Sequence, residues 1–274
     1  MRQWLIDAFS QQPFGGNQAC IVEPLAAWPA VAWMQSLAAE NNVGATAFLK
    51  RTPDPGRFGL RWFTPATEVP LCGHATLAGA HVLFVETGLS ADRLRFETQG
   101  GVLTVSRGGA DYELSMPLLP SRQIEPPFGL AEALGAELLA VWQGHYLIAL
   151  LHSAEAVRQL SPRLEAIEAI SRRLDGKGNV GVAALCEGMN GPDVIDRFFA
   201  PGFGLPEDPA TGSFHAQLAP ILSARLDRPE LSYHQAYPGR GAHIGARVEG
   251  EQVVLRGGAV TVAESWLRVG SSAG

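Results

Sequence analysis

RWFTPATEVPLCG, residues 61–73, lies 136 residues ahead of RFFAPGFGLPEDP, residues 197–209. Without a gap, Arg61 falls on Arg197, Phe63 on Phe199, Pro65 on Pro201 and Pro70 on Pro206. Both segments then run into an apolar stretch of helical character, LAGAHVLFVE and SFHAQLAPIL. At a shift of 141, SRGGADYEL from Ser106 falls on RVEGEQVVL from Arg247. The order strand, Pro-rich loop, helix and hairpin therefore occurs twice, which is the mark of an internal duplication. A duplicated chain of 274 residues with 46% hydrophobic content predicts two domains of similar fold, each with its own core.

The remaining pattern fits that frame. Two strands flank the turn Pro13-Phe14-Gly15-Gly16-Asn17, and strands follow at Thr46–Leu49 and Phe58–Phe63. Helices are expected over Pro29–Asn41 and Thr76–Glu86, the second apolar on nearly every side and hence buried. Strands at Leu94–Thr98, Val102–Ser106 and Tyr112–Met116 close the first half. The stretch PLLPSRQIEPPFG, residues 117–129, carries four prolines and reads as the linker, giving domains 1–117 and 118–274. Beyond it, helices are expected at Leu130–Leu134, Ala154–Leu160, Pro162–Leu174 and Pro209–Arg225. Strands are expected at Val180–Leu185 and Val194–Ala200, and a β meander over His243–Val248, Gln252–Arg256, Val260–Val262 and Trp266–Val269.

Composition excludes several classes. No run of 18 apolar residues suggests a membrane span, and the first residues lack an apolar signal core, so a cytoplasmic location is expected. The net charge of −6 with no basic run argues against nucleic-acid binding. Cys20, Cys72 and Cys186 form neither a disulfide framework nor a zinc pattern. GGN at residues 15–17 is not a phosphate loop, since the lysine and following hydroxyl are missing.

The chemistry-bearing residues cluster at the two repeated loops. Aligned without a gap, Cys72 lands on Asp208, each near a helix start. In two facing copies of one fold they would lie on opposite walls of a cleft. Helix N-termini offer N–H groups to a carboxylate, and two proton-handling groups can take a proton from one atom and deliver it to another. Asp208 before Pro209 reads either as a plain N-cap or as such a proton-handling group. Cys72 reads as an inert buried thiol or as one activated at a helix start. His74 fits a partly buried histidine, a general acid or a donor to substrate oxygen, whereas His81 and His215 read as structural. Asn17 is a turn residue or a carboxylate ligand, and Arg240-Gly241 lines the cleft or a hairpin.

Taken together, DAFSQQPFGGNQACIV (Asp7–Val22), WFTPATEVPLCGHATLAG (Trp62–Gly79), FETQGGVLTV (Phe96–Val105) and FGLPEDPATGSFHAQLAP (Phe203–Pro220) resemble the PhzF-like family of phenazine biosynthesis, related in fold to diaminopimelate epimerase. The resemblance implies an α+β protein of two pseudo-symmetric domains, each an antiparallel barrel-like sheet around a central helix. It implies a homodimer, no cofactor, and a small carboxylic acid as substrate. The family's best-known activity isomerises trans-2,3-dihydro-3-hydroxyanthranilate by moving a proton. Carried over by position, His74 and Asp208 would be catalytic or substrate-orienting, with Gly73, Gly212 and Ser213 helping to bind substrate; Cys72 and Asn17 join them from the reading above.

One position departs. The family pattern is close to E-x-N-x-S-E-T-A-F, and its second Glu is the acid/base; this chain reads ENNVGATAF over residues 40–48, with Gly44 for Ser and Ala45 for that Glu. Either the proton work has moved to Cys72 and Asp208, or the protein is a catalytically silent binding homologue, or Ala45 is an introduced substitution.

Overall fold

The structure, a computed structural model, describes residues 1–186 and 191–268. The chain forms two compact units, one of residues 1–116 joined by the stretch from Arg256 onward, the other of Pro117–Leu255. The first contains β1 (Arg2–Ala8), β2 (Asn17–Leu25), α1 (Val31–Asn41), β3 (Ala45–Arg51), β4 (Arg57–Phe63), β5 (Glu68–Val69), α2 (Gly73–His81), β6 (Arg93–Thr98), β7 (Gly101–Gly108) and β8 (Asp111–Pro117). The second contains β9 (Ser121–Ile124), α3 (Leu130–Leu134), β10 (Leu138–Gly144), β11 (Leu147–Leu151), α4 (Ala154–Arg158), α5 (Leu164–Asp175), β12 (Val180–Leu185), β13 (Val194–Phe199), α6 (Gly212–Leu226), β14 (Glu230–Gln235), β15 (Ala242–Glu249) and β16 (Gln252–Gly257). The chain then returns to the first unit as β17 (Ala259–Trp266), antiparallel to β1 along its length.

The duplication is visible in the pairing. In the first unit β1–β2 is antiparallel, β2–β3 parallel, β3–β4 antiparallel, β4–β6 parallel and β6–β7 antiparallel. The second unit repeats this order through β10–β11, β11–β12, β12–β13, β13–β14 and β14–β15. Each sheet is therefore mixed rather than purely antiparallel. The parallel neighbours are those joined by helical crossovers, because a parallel return needs a connection as long as a helix.

Each unit keeps one helix at its centre. All nine residues of α2 are buried, and it packs on β1, β2, β3, β7 and β17. Gly73, Ala75, Ala78, Gly79 and Ala80 give it a thin outline, so strands can approach on several sides. It continues as a π-helical turn, Val82–Glu86, which brings Glu86 to the Thr261 hydroxyl. His81 is buried as expected, bonded to Tyr112 Oη and Thr261 Oγ1 at 2.9 Å each. In the second unit α6 carries Pro220, which cannot donate to the Ala216 carbonyl one turn back. The backbone N–H of Leu119 takes that carbonyl at 3.1 Å, so the proline leaves no orphaned acceptor. The amphipathic α5 turns Ile167 and Ile170 onto a core with Leu147, Val180, Val182 and Phe199. Fully burying each such side chain contributes about 1.5–3 kcal/mol.

Several boundaries differ from the sequence reading. Residues 118–274 were all expected in the second domain, but the stretch from Arg256 belongs to the first unit because β17 adds to β1. The expected strands at Val260–Val262 and Trp266–Val269 are one strand ending at Trp266; Val269 lies outside the described residues. Pro29 precedes α1, whose N-cap is Ala30. The linker segment holds a strand, β9, on the edge of β10.

Candidate active site

Gly15-Gly16-Asn17 ends the β1–β2 connection. Gly16 has φ +59°, and a Cβ there would lie 2.0 Å from the Ala8 carbonyl oxygen, so only glycine fits. This tight turn sets Asn17 at the start of β2 with its side chain buried. Its Nδ2 lies 3.3 Å from His74 Nδ1 at the first turn of α2. Cys72 is the N-cap of that helix, and its Sγ is 3.5 Å from the same Nδ1. Gly44 closes the group from the side: a Cβ there would meet Asn17 Oδ1 at 2.7 Å and His74 Nε2 at 3.4 Å. Ala45 is fully buried beside it and pairs with Ala19.

Burial pushes the His74 imidazole down to about 4, with a hydrogen bond to the Gln18 backbone working the other way. The ring is thus neutral at pH 7. An amide N–H can only donate, so Nδ1 is the acceptor and the ring proton sits on Nε2. A contact that favours the imidazolium is an acceptor contact, which matches Nε2–H directed at the Gln18 carbonyl. The Cys72 thiol accordingly faces a neutral acceptor nitrogen.

In the second unit the expected N-cap is wrong. Helix α6 begins at Gly212, and its N-cap is Thr211. Asp208 stays extended, as a residue before proline prefers, and its N–H donates to the Phe198 carbonyl at 2.9 Å. The Thr211 hydroxyl donates to Asp208 Oδ2 at 2.5 Å. Gln235 Nε2 donates to the Asp208 carbonyl at 2.6 Å, and Gln235 Oε1 accepts from the Thr211 N–H at 2.9 Å. The Ser213 hydroxyl lies 2.9 Å from Tyr146 Oη. The N-cap side chains of α2 and α6, Cys72 and Thr211, make no cap hydrogen bond, and helix geometry leaves first-turn N–H groups without an intrahelical acceptor. Arg240 and Gly241 lie in the turn between β14 and β15.

The gapless alignment fails at this loop. Trp62 pairs with Val69, while Phe198 bridges to Asp208. Arg61 grips Glu68 through two bonds of 2.7 Å, and Arg197 grips Glu207 in the same way. The helices start at Gly73 and Gly212. The strand residues Arg61 and Trp62 keep the offset of 136, whereas Glu68, Val69 and Gly73 need 139, so the second copy carries three extra residues before Glu207, around the 3-10 turn Pro201–Phe203. The counterpart of Asp208 is Val69; Cys72 corresponds to Thr211 and His74 to Ser213. Cys72 and Asp208 are therefore not equivalent positions.

Residues missed by the sequence reading are Thr211, Gln235, Tyr146 and the trio Asp196-Arg197-Phe198 of β13. The signal for the trio was present: VIDRFF places two charges inside a strand whose six residues are all buried.

Comparison with known proteins identifies the architecture. Residues 6–265 match the family described as phenazine biosynthesis-like protein. An uncharacterized isomerase from Pseudomonas aeruginosa is 40% identical over 265 residues, covering 96% of this chain and 97% of the relative. The crystal structure of a PhzF family phenazine biosynthesis protein from Enterococcus faecalis superposes with TM-score 0.89 at 33% identity, covering 97% and 99% of the two chains. A hydroxyproline epimerase from Agrobacterium vitis, with bound trans-4-OH-L-proline, shares the fold alone, with TM-score 0.59 at 14% identity over 97% and 91%. The duplicated unit, a mixed sheet around a central helix, is the diaminopimelate epimerase-like fold of epimerases and racemases. Within that class the chain belongs to the PhzF-like, phenazine biosynthesis-like family, whose relatives include proteins named as isomerases.

Proposed function

We propose that the protein is a cofactor-independent isomerase that moves a proton on a small carboxylic acid, cyclic or amino-bearing. The observation that carries this reading is the donor arrangement around His74. A neutral imidazole, whose Nδ1 accepts from Asn17, carries no positive charge to ionise Cys72, whose Sγ lies 3.5 Å from that nitrogen. The thiol is then the proton donor in the resting protein, and the Asp208 carboxylate is the acceptor. Asp208 would take a proton from a carbon of the substrate, leaving the electron pair delocalised toward the substrate carboxylate. The Cys72 S–H would deliver a proton to a second carbon, and both groups would re-equilibrate with solvent. The first turns of α2 and α6, at Gly73-His74 and Gly212-Ser213, whose N-cap side chains make no cap hydrogen bond, suit a bound carboxylate. Asn17 would serve the same substrate while orienting His74.

A second reading is favoured by Ala45. A fully buried methyl group stands where the family pattern has its acid/base Glu, and this supports a silent binding homologue. The deciding experiment is deuterium incorporation from D2O, by NMR or mass, into a panel of small acids including dihydro-hydroxyanthranilate and trans-4-hydroxy-L-proline. Exchange by the natural chain that is lost in Asp208→Asn supports the isomerase. Exchange that appears only in Ala45→Glu would mean that the natural protein binds without turnover.

A further inference from the structure

Asp208 is held from below by a polar assembly that substrate binding alone does not require. Three consecutive residues of β13 each hold a different part of the Glu207–His215 segment. Phe198 offers its carbonyl to the Asp208 N–H, and Arg197 grips Glu207. Asp196 Oδ2 lies 3.3 Å from His215 Nε2. The other ring nitrogen, Nδ1, is 2.9 Å from the Thr211 carbonyl oxygen. Both side chains of the Asp196–His215 pair are fully buried.

The protonation follows from donor and acceptor counting. The Thr211 carbonyl only accepts, so Nδ1 must carry hydrogen. A bond between Nε2 and the carboxyl group then requires one more proton, on either His215 or Asp196. In either case the pair is neutral overall, and Nδ1–H is committed to Thr211. The Tyr233 ring stands at 90° to the imidazole, 5.0 Å between centroids. Asp196 Oδ1 and the Tyr233 hydroxyl have no hydrogen-bond partner among the described residues. Buried ionic pairs of this kind are frequently no more stabilising than apolar side chains of equal volume, so stability is a poor account of it. Its output is geometric. Thr211 is fixed at its carbonyl by His215, at its N–H by Gln235, and its hydroxyl is aimed at Asp208 Oδ2.

We infer that the buried Asp196–His215 pair is a positioning device for the Asp208 carboxylate, acting through Thr211. The inference rests on the proposed acid/base role of Asp208 for its functional meaning, but its physical content can be measured without substrate. In protein labelled with carboxyl-13C aspartate, the Asp208 resonance is assigned by its loss in Asp208→Asn and titrated. The Asp196→Leu/His215→Phe variant removes the whole pair without stranding one charge. It is expected to raise the Asp208 midpoint by up to roughly one pH unit, the worth of one hydrogen bond to a carboxylate. Thr211→Val should give the same rise, and combining the two changes should add nothing further. Asp196→Asn, which still hydrogen-bonds Nε2, should titrate like the natural protein. Should the apolar pair fail to fold, His215→Asn keeps a donor near the Nδ1 position and should behave naturally, whereas His215→Gln should show the rise. An unmoved midpoint on removing the pair, or effects of the pair and Thr211 that add in full, overturns the inference. Where exchange activity is found, loss of the pair should lower kcat about tenfold with KM little changed. Absence of exchange in every acid sinks the isomerase reading and leaves the titration result standing.

Discussion

Acidification should remove a defined amount of stability from the first unit through one side chain, His74. Unfolded, a histidine titrates near 6.5; folded, burial holds His74 at about 4. Above pH 6.5 both states are neutral and the residue contributes no pH dependence. Between 6.5 and 4 only the unfolded chain takes the proton, so the folded state loses ground as pH falls, and the loss levels off below 4. Each pH unit of separation is worth about 1.4 kcal/mol, so the full loss is roughly 3 kcal/mol, most of it by pH 4.5. His81, His145 and His234 are also held below the ordinary range by burial, so they add losses of the same sign. The test is urea unfolding of the natural protein and His74→Gln at pH 7.5 and 4.5, followed by hydrogen exchange of the α2 amides. The natural protein should lose more stability than the variant over this interval, by about 2–3 kcal/mol. An equal loss in the two proteins would show that the folded His74 titrates near the ordinary 6.5, as a solvated imidazole does, and the donor assignment to Cys72 would fall with it.

Asp208→Asn should lower any exchange activity by at least about 10²-fold, as loss of a general acid/base does, with an unchanged far-UV circular dichroism spectrum. The two Arg–Glu braces offer a matched comparison. Arg197→Met breaks a pair whose side chains are 6% and 9% exposed and should cost about 3–5 kcal/mol. Arg61→Met, whose pair is 18% and 21% exposed, should cost about 1–2 kcal/mol in the same denaturation assay. Iodoacetamide at pH 8, read by mass spectrometry, should leave Cys20 unmodified in the folded protein, because burial shields it and pushes its thiol up to about 11. Gly44→Ser should lower stability and break the Asn17–His74 contact, seen as a shifted His74 imidazole resonance, because its Cβ has no room beside Asn17 Oδ1.

The duplication was legible because strand, loop and helix recur in order, and the two helix-start motifs marked the candidate residues in each unit. Val180–Leu185 is legible to the residue because an apolar run of strand length is bounded there by the turn residues Gly176-Lys177-Gly178-Asn179. Other features escaped for physical reasons. LLAVWQGHYLIALL is apolar on both sides of Gly144, so neither period 2 nor period 3.6 marks β10 and β11 in it. The three-residue insertion before Glu207 is invisible to identity matching because prolines occupy both Pro206 and Pro209. Only the ladder, with Trp62 on Val69 and Phe198 on Asp208, distinguishes the two alignments. The partners of His215 lie in β13 and at Thr211, and no spacing rule brings Asp196 to it.

The return of β17 to β1 has a consequence for biosynthesis. The second unit is a continuous segment, Pro117–Leu255, while the first waits for a strand encoded after it. A ribosome therefore releases the material of the second unit, with its own sheet and central helix, before β1 can acquire its outer neighbour. Until β17 emerges, the outer edge of β1 keeps its N–H and C=O groups exposed, and such an edge invites pairing with other chains. A stop codon just before β17 would make that exposure permanent, in a chain whose second unit has every residue it needs.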